Sequence, residues 1–183
     1  YFVAAMAGDA EVMRLLLANG ADPFVRSRDA STALMGAISA GNAFTARRVT
    51  EQERIEAVTV ALEAGNDVEA QDRNGYRAMH LAAGAEFHEV IMFLLNQGAD
   101  LNPVTQSRRR AEGSGFVVIA GQSPLGIVEG TFLGGTYNER PETAAFLRGL
   151  GAESIGRATL QTYLDSFVEG DPEEESTPQE PEP

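Results

Sequence analysis

Cysteine is absent, which excludes disulfide frameworks, thiolate metal sites and cysteine nucleophiles together. Lysine is absent as well: all 14 basic residues are Arg, so the lysine that a Walker phosphate loop requires cannot be supplied. The Arg-only usage reads as the base-composition bias of a GC-rich bacterial genome, although Arg is also the better interface cation. Long apolar runs are missing. Stretches such as 91–95 and 116–120 fall far short of the roughly eighteen residues of a membrane span, so membrane insertion is not expected. Histidine is scarce, with His80 and His88 alone. The chain opens on Tyr1 without a Met or a basic-then-apolar leader, and it reads as a fragment with any targeting segment upstream.

What is present is enough to build a core. The 183 residues are 43% apolar, which suits one compact domain or one continuous array. The net charge of -13 is concentrated at one end, because seven of the 27 acidic residues follow residue 168, where no Arg occurs. The remaining body carries 20 acidic residues against 14 basic, a net of -6. Phosphate binding rests on clustered cations, so neither nucleic acid nor an anionic membrane is expected as the main partner.

Internal repetition carries the most information. The phrase Gly20-Ala21-Asp22 recurs as Gly65-Asn66-Asp67, Gly98-Ala99-Asp100 and Gly151-Ala152-Glu153. An apolar stretch opened by a Glu precedes each, and Glu11, Glu56, Glu89 and Glu142 all lie nine residues before their Gly. A helix with a wide apolar face, ended by a glycine in the left-handed conformation, accounts for this pattern. A second phrase stands before the helices: Ser31-Thr32-Ala33-Leu34-Met35, Tyr76-Arg77-Ala78-Met79-His80 and Gln122-Ser123-Pro124-Leu125-Gly126. Small residues such as Ala82-Ala83 follow it, and Asp72-Arg73-Asn74-Gly75 supplies a strong turn signal.

Together these phrases resemble the ankyrin-repeat family, whose first helix opens with a Thr-Pro-Leu-His turn. The resemblance covers roughly residues 1–154, in repeats of about 1–25, 26–70, 71–103 and 104–154, and implies an all-α solenoid of about four helix-turn-helix repeats with finger loops. Ala33-Leu34-Met35 and the run from Pro124 to Gly130 are similar to a group of bacterial ankyrin proteins, many of them exported. Both cytoplasmic and exported locations fit.

The spacing departs from the family's regular period. Gly65 to Gly98 is 33 residues, but Gly20 to Gly65 is 45 and Gly98 to Gly151 is 53. The extra residues align near 41–54 between two helices, near 103–120 in a finger loop, and near 131–140 between the last two helices. Solenoid insertions fall in loops, often on the binding face. Residues 155–168 have apolar positions that suit an amphipathic capping helix. Residues 169–183 are acidic, Pro-rich and devoid of apolar side chains, a composition expected to remain disordered.

No constellation calls for catalysis. His80 occupies the structural His position of the resembled repeat, where the imidazole is expected to tie one turn to the next. The glycines at 113, 115, 121, 134 and 135 match no dinucleotide fingerprint. Ser114 and Ser123 lack a nucleophile elbow, and Asp22, Asp67 and Asp100 are absorbed by the repeat phrase as turn residues. No catalytic residue, cofactor or metal is therefore expected. The resemblance implies a protein-binding scaffold, expected as a monomer, that engages an unidentified protein through variable inner-helix and finger positions. By alignment these include Met6, Arg28, Asp29, Ser31, Ser39, Arg73, Asn74 and Tyr76, with Arg73 and Tyr76 the best hot-spot candidates. Arg108, Arg109 and Arg110 in the inserted finger read either as a solvated loop with 116–120 as one strand of a longer hairpin, or as a projecting finger that joins these positions by gripping carboxylates, or as a cluster masked by the acidic tail folding back. The alternative reading is an accessory region of a larger exported bacterial enzyme with its catalytic domain upstream.

Overall fold

Each Glu-led stretch forms a helix that ends at its glycine. In a computed structural model that describes residues 1–39, 49–106, 109–110, 117–118, 121–133 and 136–157, these are α2 (Ala10–Ala18), α4 (Glu51–Glu63), α6 (His88–Asn96) and α8 (Pro141–Gly149). Gly98 shows how they stop. Its φ of +86° lets its N–H reach the Leu95 carbonyl at 3.0 Å while Ala99 N–H reaches that of Leu94 at 3.0 Å, satisfying carbonyls that the helix end leaves open.

Shorter helices open on the second phrase. They are α1 (Phe2–Met6), α3 (Ala33–Ile38), α5 (Ala78–Gly84) and α7 (Pro124–Glu129). Thr32 caps α3 by accepting from Met35 N–H at 3.2 Å, and Ser123 caps α7 by accepting from Gly126 N–H at 3.1 Å. At α5 the capping position is Arg77, which has no hydroxyl. There His80 works in reverse, its Nδ1 accepting from Arg77 N–H at 3.0 Å.

The helices form two layers. Within each repeat a short helix packs on its long partner, and α1, α3, α5 and α7 stack in order as one layer while α2, α4 and α6 stack as the other. Close approach rests on small side chains: Ala5, Ala33, Ala57, Ala82 and Ala83 are buried between helices, with Met13, Leu34, Met79, Ile91, Leu94, Leu125 and Leu147 filling the seam. Burying each of the large ones contributes about 2 kcal/mol. α6 starts at His88 without a side-chain cap of its own. Glu51, on the neighbouring α4, supplies one by accepting from Glu89 N–H at 2.9 Å and Val90 N–H at 3.4 Å.

Three expectations need correction or refinement. α4 begins at Glu51 rather than beyond Arg54, because Thr50 and Glu53 form a capping box, with Glu53 N–H donating to the threonine hydroxyl at 3.2 Å and Thr50 N–H to the Glu53 carboxylate at 2.9 Å. The enlarged finger carries β1 (Arg109–Arg110) paired antiparallel with β2 (Val117–Val118), a hairpin strand within 116–120 as read from the sequence, whereas the insertion before α8 is a hairpin the sequence reading did not name, β3 (Thr131–Leu133) with β4 (Thr136–Asn138). No helix starts at Ile155, because its main chain serves the root of α7: Ile155 N–H donates to the Ser123 hydroxyl at 3.1 Å and its carbonyl accepts from Ser123 N–H at 3.0 Å. The capping helix from residue 158 onward and the acidic segment 169–183 lie outside the described residues.

Candidate functional site

The finger loops are built by carboxylates that fold their own turns. In the first, Asp29 accepts from the hydroxyls of Ser27 and, at 3.1 Å, Ser31, while Ser31 N–H donates to the Ser27 hydroxyl at 3.0 Å. Partial burial pushes the Asp29 pKa up, but the bonds from Ser27, Ser31 and the local main chain outweigh it and hold the carboxyl below its ordinary value. In the second finger, Asp72 accepts from the N–H groups of Asn74 at 2.8 Å and Tyr76 at 2.9 Å. Burial there dominates and pushes the Asp72 carboxyl up despite those bonds.

Successive fingers are joined edge to edge. Arg73 N–H donates to the Asp29 carbonyl at 2.9 Å, and the Arg26 guanidinium donates to the carbonyls of Ala30 and Gln71, both at 3.0 Å. Glu69 pairs with Arg77 and also accepts from Asp100 N–H at 2.9 Å. The root of the third finger is closed by Thr105 N–H on the Gln122 carbonyl at 3.0 Å and Gly121 N–H on the Thr105 carbonyl at 2.7 Å. At Gly75, with φ of +79°, a side chain would overlap the backbone of Gln106, so the second and third fingers touch through their main chains.

The positions named from the sequence divide by what they do. Arg28 and Arg73 are exposed, and their guanidinium groups have no partner among the described residues. Asp29 is exposed and Ser31 half-buried, and both are committed to the turn. Tyr76 is half-buried rather than displayed. Its ring meets His80 edge-on with centroids 5.6 Å apart, and burial pushes its phenol up to about 12. Asn74 is half-buried beside it. On the inner helices, Met6 is half-buried, with its Cγ over Gly36, and Ser39 ends α3 with its carbonyl accepting from Arg54 at 3.1 Å. Arg109 and Arg110 form β1 opposite Val118 and Val117, whereas Arg108 lies outside the described residues.

Both histidines have structural partners. His80 is 1% exposed; besides accepting from Arg77, it donates from Nε2 to the Gln122 carbonyl at 3.1 Å. Burial pushes it down to about 4, so it is neutral near pH 7. His88 is stacked on Phe146 at 4.4 Å and bonds the Thr143 hydroxyl at 2.9 Å, linking α6 to α8. Among the described residues no three acidic or His side chains gather as a metal would need, and no helix is long and apolar enough to cross a membrane.

Two features escaped the sequence reading. One is Arg54, 5% exposed, which donates to the Ala37 carbonyl at 2.8 Å and lies 5.0 Å over the Phe87 ring. Its role is to close the end of α3. The other is a shallow apolar groove of about 450 Å³ on the long-helix layer, lined by Ile55, His88, Met92, Phe93 and Phe146 among others. Its contributors come from three helices, α4, α6 and α8, so no single sequence window announces it.

Comparison with known families matches ankyrin repeats, in three copies, over residues 1–105. No curated protein matches the chain. The matched copies end where the enlarged finger begins, and the fourth helix pair, α7 and α8, continues the same stack beyond them. Ankyrin repeats are generally protein-protein interaction modules and typically non-catalytic. The matched repeats, the glycine-ended helix pairs and the joined finger loops place this chain in the ankyrin-repeat family.

Proposed function

We propose that this array is a scaffold that binds one protein partner across its finger loops and the half-buried ends of its short helices, such as Ser39. The observation that carries the reading is the continuous finger edge, fixed by Arg73 N–H on the Asp29 carbonyl and by Arg26 on the Gln71 carbonyl. A surface ordered before its partner arrives loses little conformational freedom on binding. The exposed Arg28 and Arg73 stand on it, and Arg is among the residues that most often carry interface energy. Tyr76 supports the edge from beneath, so Arg73 is the better single anchor.

The test is partner capture with the full chain, followed by titration of the captured protein against the Arg73→Ala and Ser39→Arg variants. Each variant is expected to weaken binding by about tenfold or more without lowering the melting temperature. Unchanged affinity in both would remove the finger edge and the short-helix layer as the binding surface.

A further inference from the structure

The carboxylates of the finger edge are spoken for, whereas two of its cations are not. Asp29 is bonded by Ser27 and Ser31, Asp72 by the N–H groups of Asn74 and Tyr76, and Glu69 by Arg77 and Asp100 N–H. Arg28 and Arg73 are exposed with no partner among the described residues, on fingers held side by side by the Arg73 to Asp29 main-chain bond. Exposed guanidinium groups on two adjacent fingers fit an extended chain with carboxylates at short intervals, because each guanidinium can take a carboxylate with two parallel hydrogen bonds.

The sequence contains such a chain. Residues 169–183 hold seven carboxylates, no cation and four prolines, and Pro-rich segments favour an extended conformation that forfeits little entropy when laid on a surface. The path is short. Gly156 lies directly against the main chain of Gly121 and Gln122, at the root of the third finger. The eleven residues from 158 to 168 span from about 16 Å as the helix their pattern suits to about 40 Å when extended, and Arg73 lies on the adjacent finger, within about 20 Å at ordinary helix-packing distances. Tethering places the acidic segment at an effective concentration on the order of millimolar.

We propose that the finger edge is a docking surface for an acidic, extended peptide, and that residues 169–183 of the same chain are its occupant. This rests on the finger edge being a binding surface. Segment 169–183 then competes with any partner that uses Arg28 and Arg73, and a partner must displace it to bind there.

The experiment uses the full chain with the seven acidic residues of 169–183 changed to Gln or Asn, and a fluorescein-labelled synthetic peptide of residues 169–183 as the probe. Fluorescence anisotropy should show the neutralised chain binding the peptide at least about tenfold more tightly than the unaltered chain, whose own segment already occupies the edge. Adding Arg28→Gln and Arg73→Gln should weaken peptide binding by about tenfold or more, the Lys replacements should restore much of it, and raising NaCl from about 20 to about 300 mM should weaken it further. No binding to the neutralised chain, binding indifferent to the two Gln changes, or equal binding by the unaltered chain would each overturn the proposal. Loss of the peptide contact with partner capture still sensitive to Ser39→Arg would leave the scaffold reading standing. Insensitivity of partner capture to both Arg73→Ala and Ser39→Arg, with peptide binding intact, would reject that reading alone.

Discussion

The Nε2 of His80 donates to the main-chain carbonyl of Gln122 at 3.1 Å, so one buried imidazole on α5 holds the root of the enlarged finger that follows. With Nδ1 accepting from Arg77 N–H at 3.0 Å, the ring is neutral and both nitrogens are used. Burial depresses its pKa from 6.5 to about 4. The unfolded chain therefore binds a proton that the folded chain refuses between these values, and stability falls as pH falls through that window.

His80 should contribute its full effect above pH 6.5 and lose about 3 kcal/mol of it by pH 4. Thermal melts of the unaltered chain and of His80→Gln across pH 4 to 7.5 check this. The gap between them should be widest near pH 7 and narrow steadily below 6.5. A gap that stays constant with pH would show that the imidazole does not titrate differently in the two states.

Replacing Glu51 by Ala should cost about 1 kcal/mol by uncapping α6, because Glu89 N–H loses its 2.9 Å acceptor. Glu51→Gln keeps an acceptor oxygen but loses the charge that favours a helix N-terminus, and should cost about half as much. Urea unfolding midpoints read the difference. Equal costs would mean that the charge contributes nothing.

Gly75→Ala and Gly98→Ala separate two penalties. Both sites have positive φ, +79° and +86°, but a Cβ at Gly98 meets nothing within 4 Å whereas one at Gly75 overlaps the backbone of Gln106. About 1 kcal/mol is expected at Gly98 and at least about 2 kcal/mol at Gly75, where the fingers would have to part. Chemical denaturation of the two variants side by side decides whether the contact between fingers is tight enough to exclude a methyl group.

Arg54→Met should destabilise by about 3 kcal/mol, since the carbonyls of Ala37 and Ser39 lose donors at 2.8 and 3.1 Å in a buried place. Arg54→Lys should recover only part of this: both carbonyls are served by the one Nη1, which an ammonium can imitate, but the shorter side chain loses the planar group that lies over the Phe87 ring. The melting temperatures of the two variants give the comparison.

The repeat was legible because its signals are local. Gly98 marks a helix end by itself, and Thr32 and Ser123 mark helix starts. Two signals were present but read for something else. Thr50 and Glu53 spell a capping box, but they stand inside the irregularly spaced stretch that aligns as an insertion. Gly134-Gly135 between Thr131-Phe132-Leu133 and Thr136-Tyr137-Asn138 spells a hairpin, a signal that the same glycines share with phosphate-binding loops. The site was less legible. Which of Arg28, Asp29 and Ser31 remains available depends on hydrogen bonds inside the turn, and Tyr76 turns inward because His80 offers it an aromatic edge. Arg54 stands far from the carbonyls it serves along the chain, and nothing in its own neighbourhood of sequence indicates them.

The bond from Arg73 N–H to the Asp29 carbonyl runs between main chains and consults no side chain at residue 73. The joint therefore survives nearly any replacement at the position it displays. Mutation can rewrite the chemistry of the edge one residue at a time while its geometry is inherited intact, so a lineage carrying this array can vary the displayed side chains without passing through an unfolded ancestor.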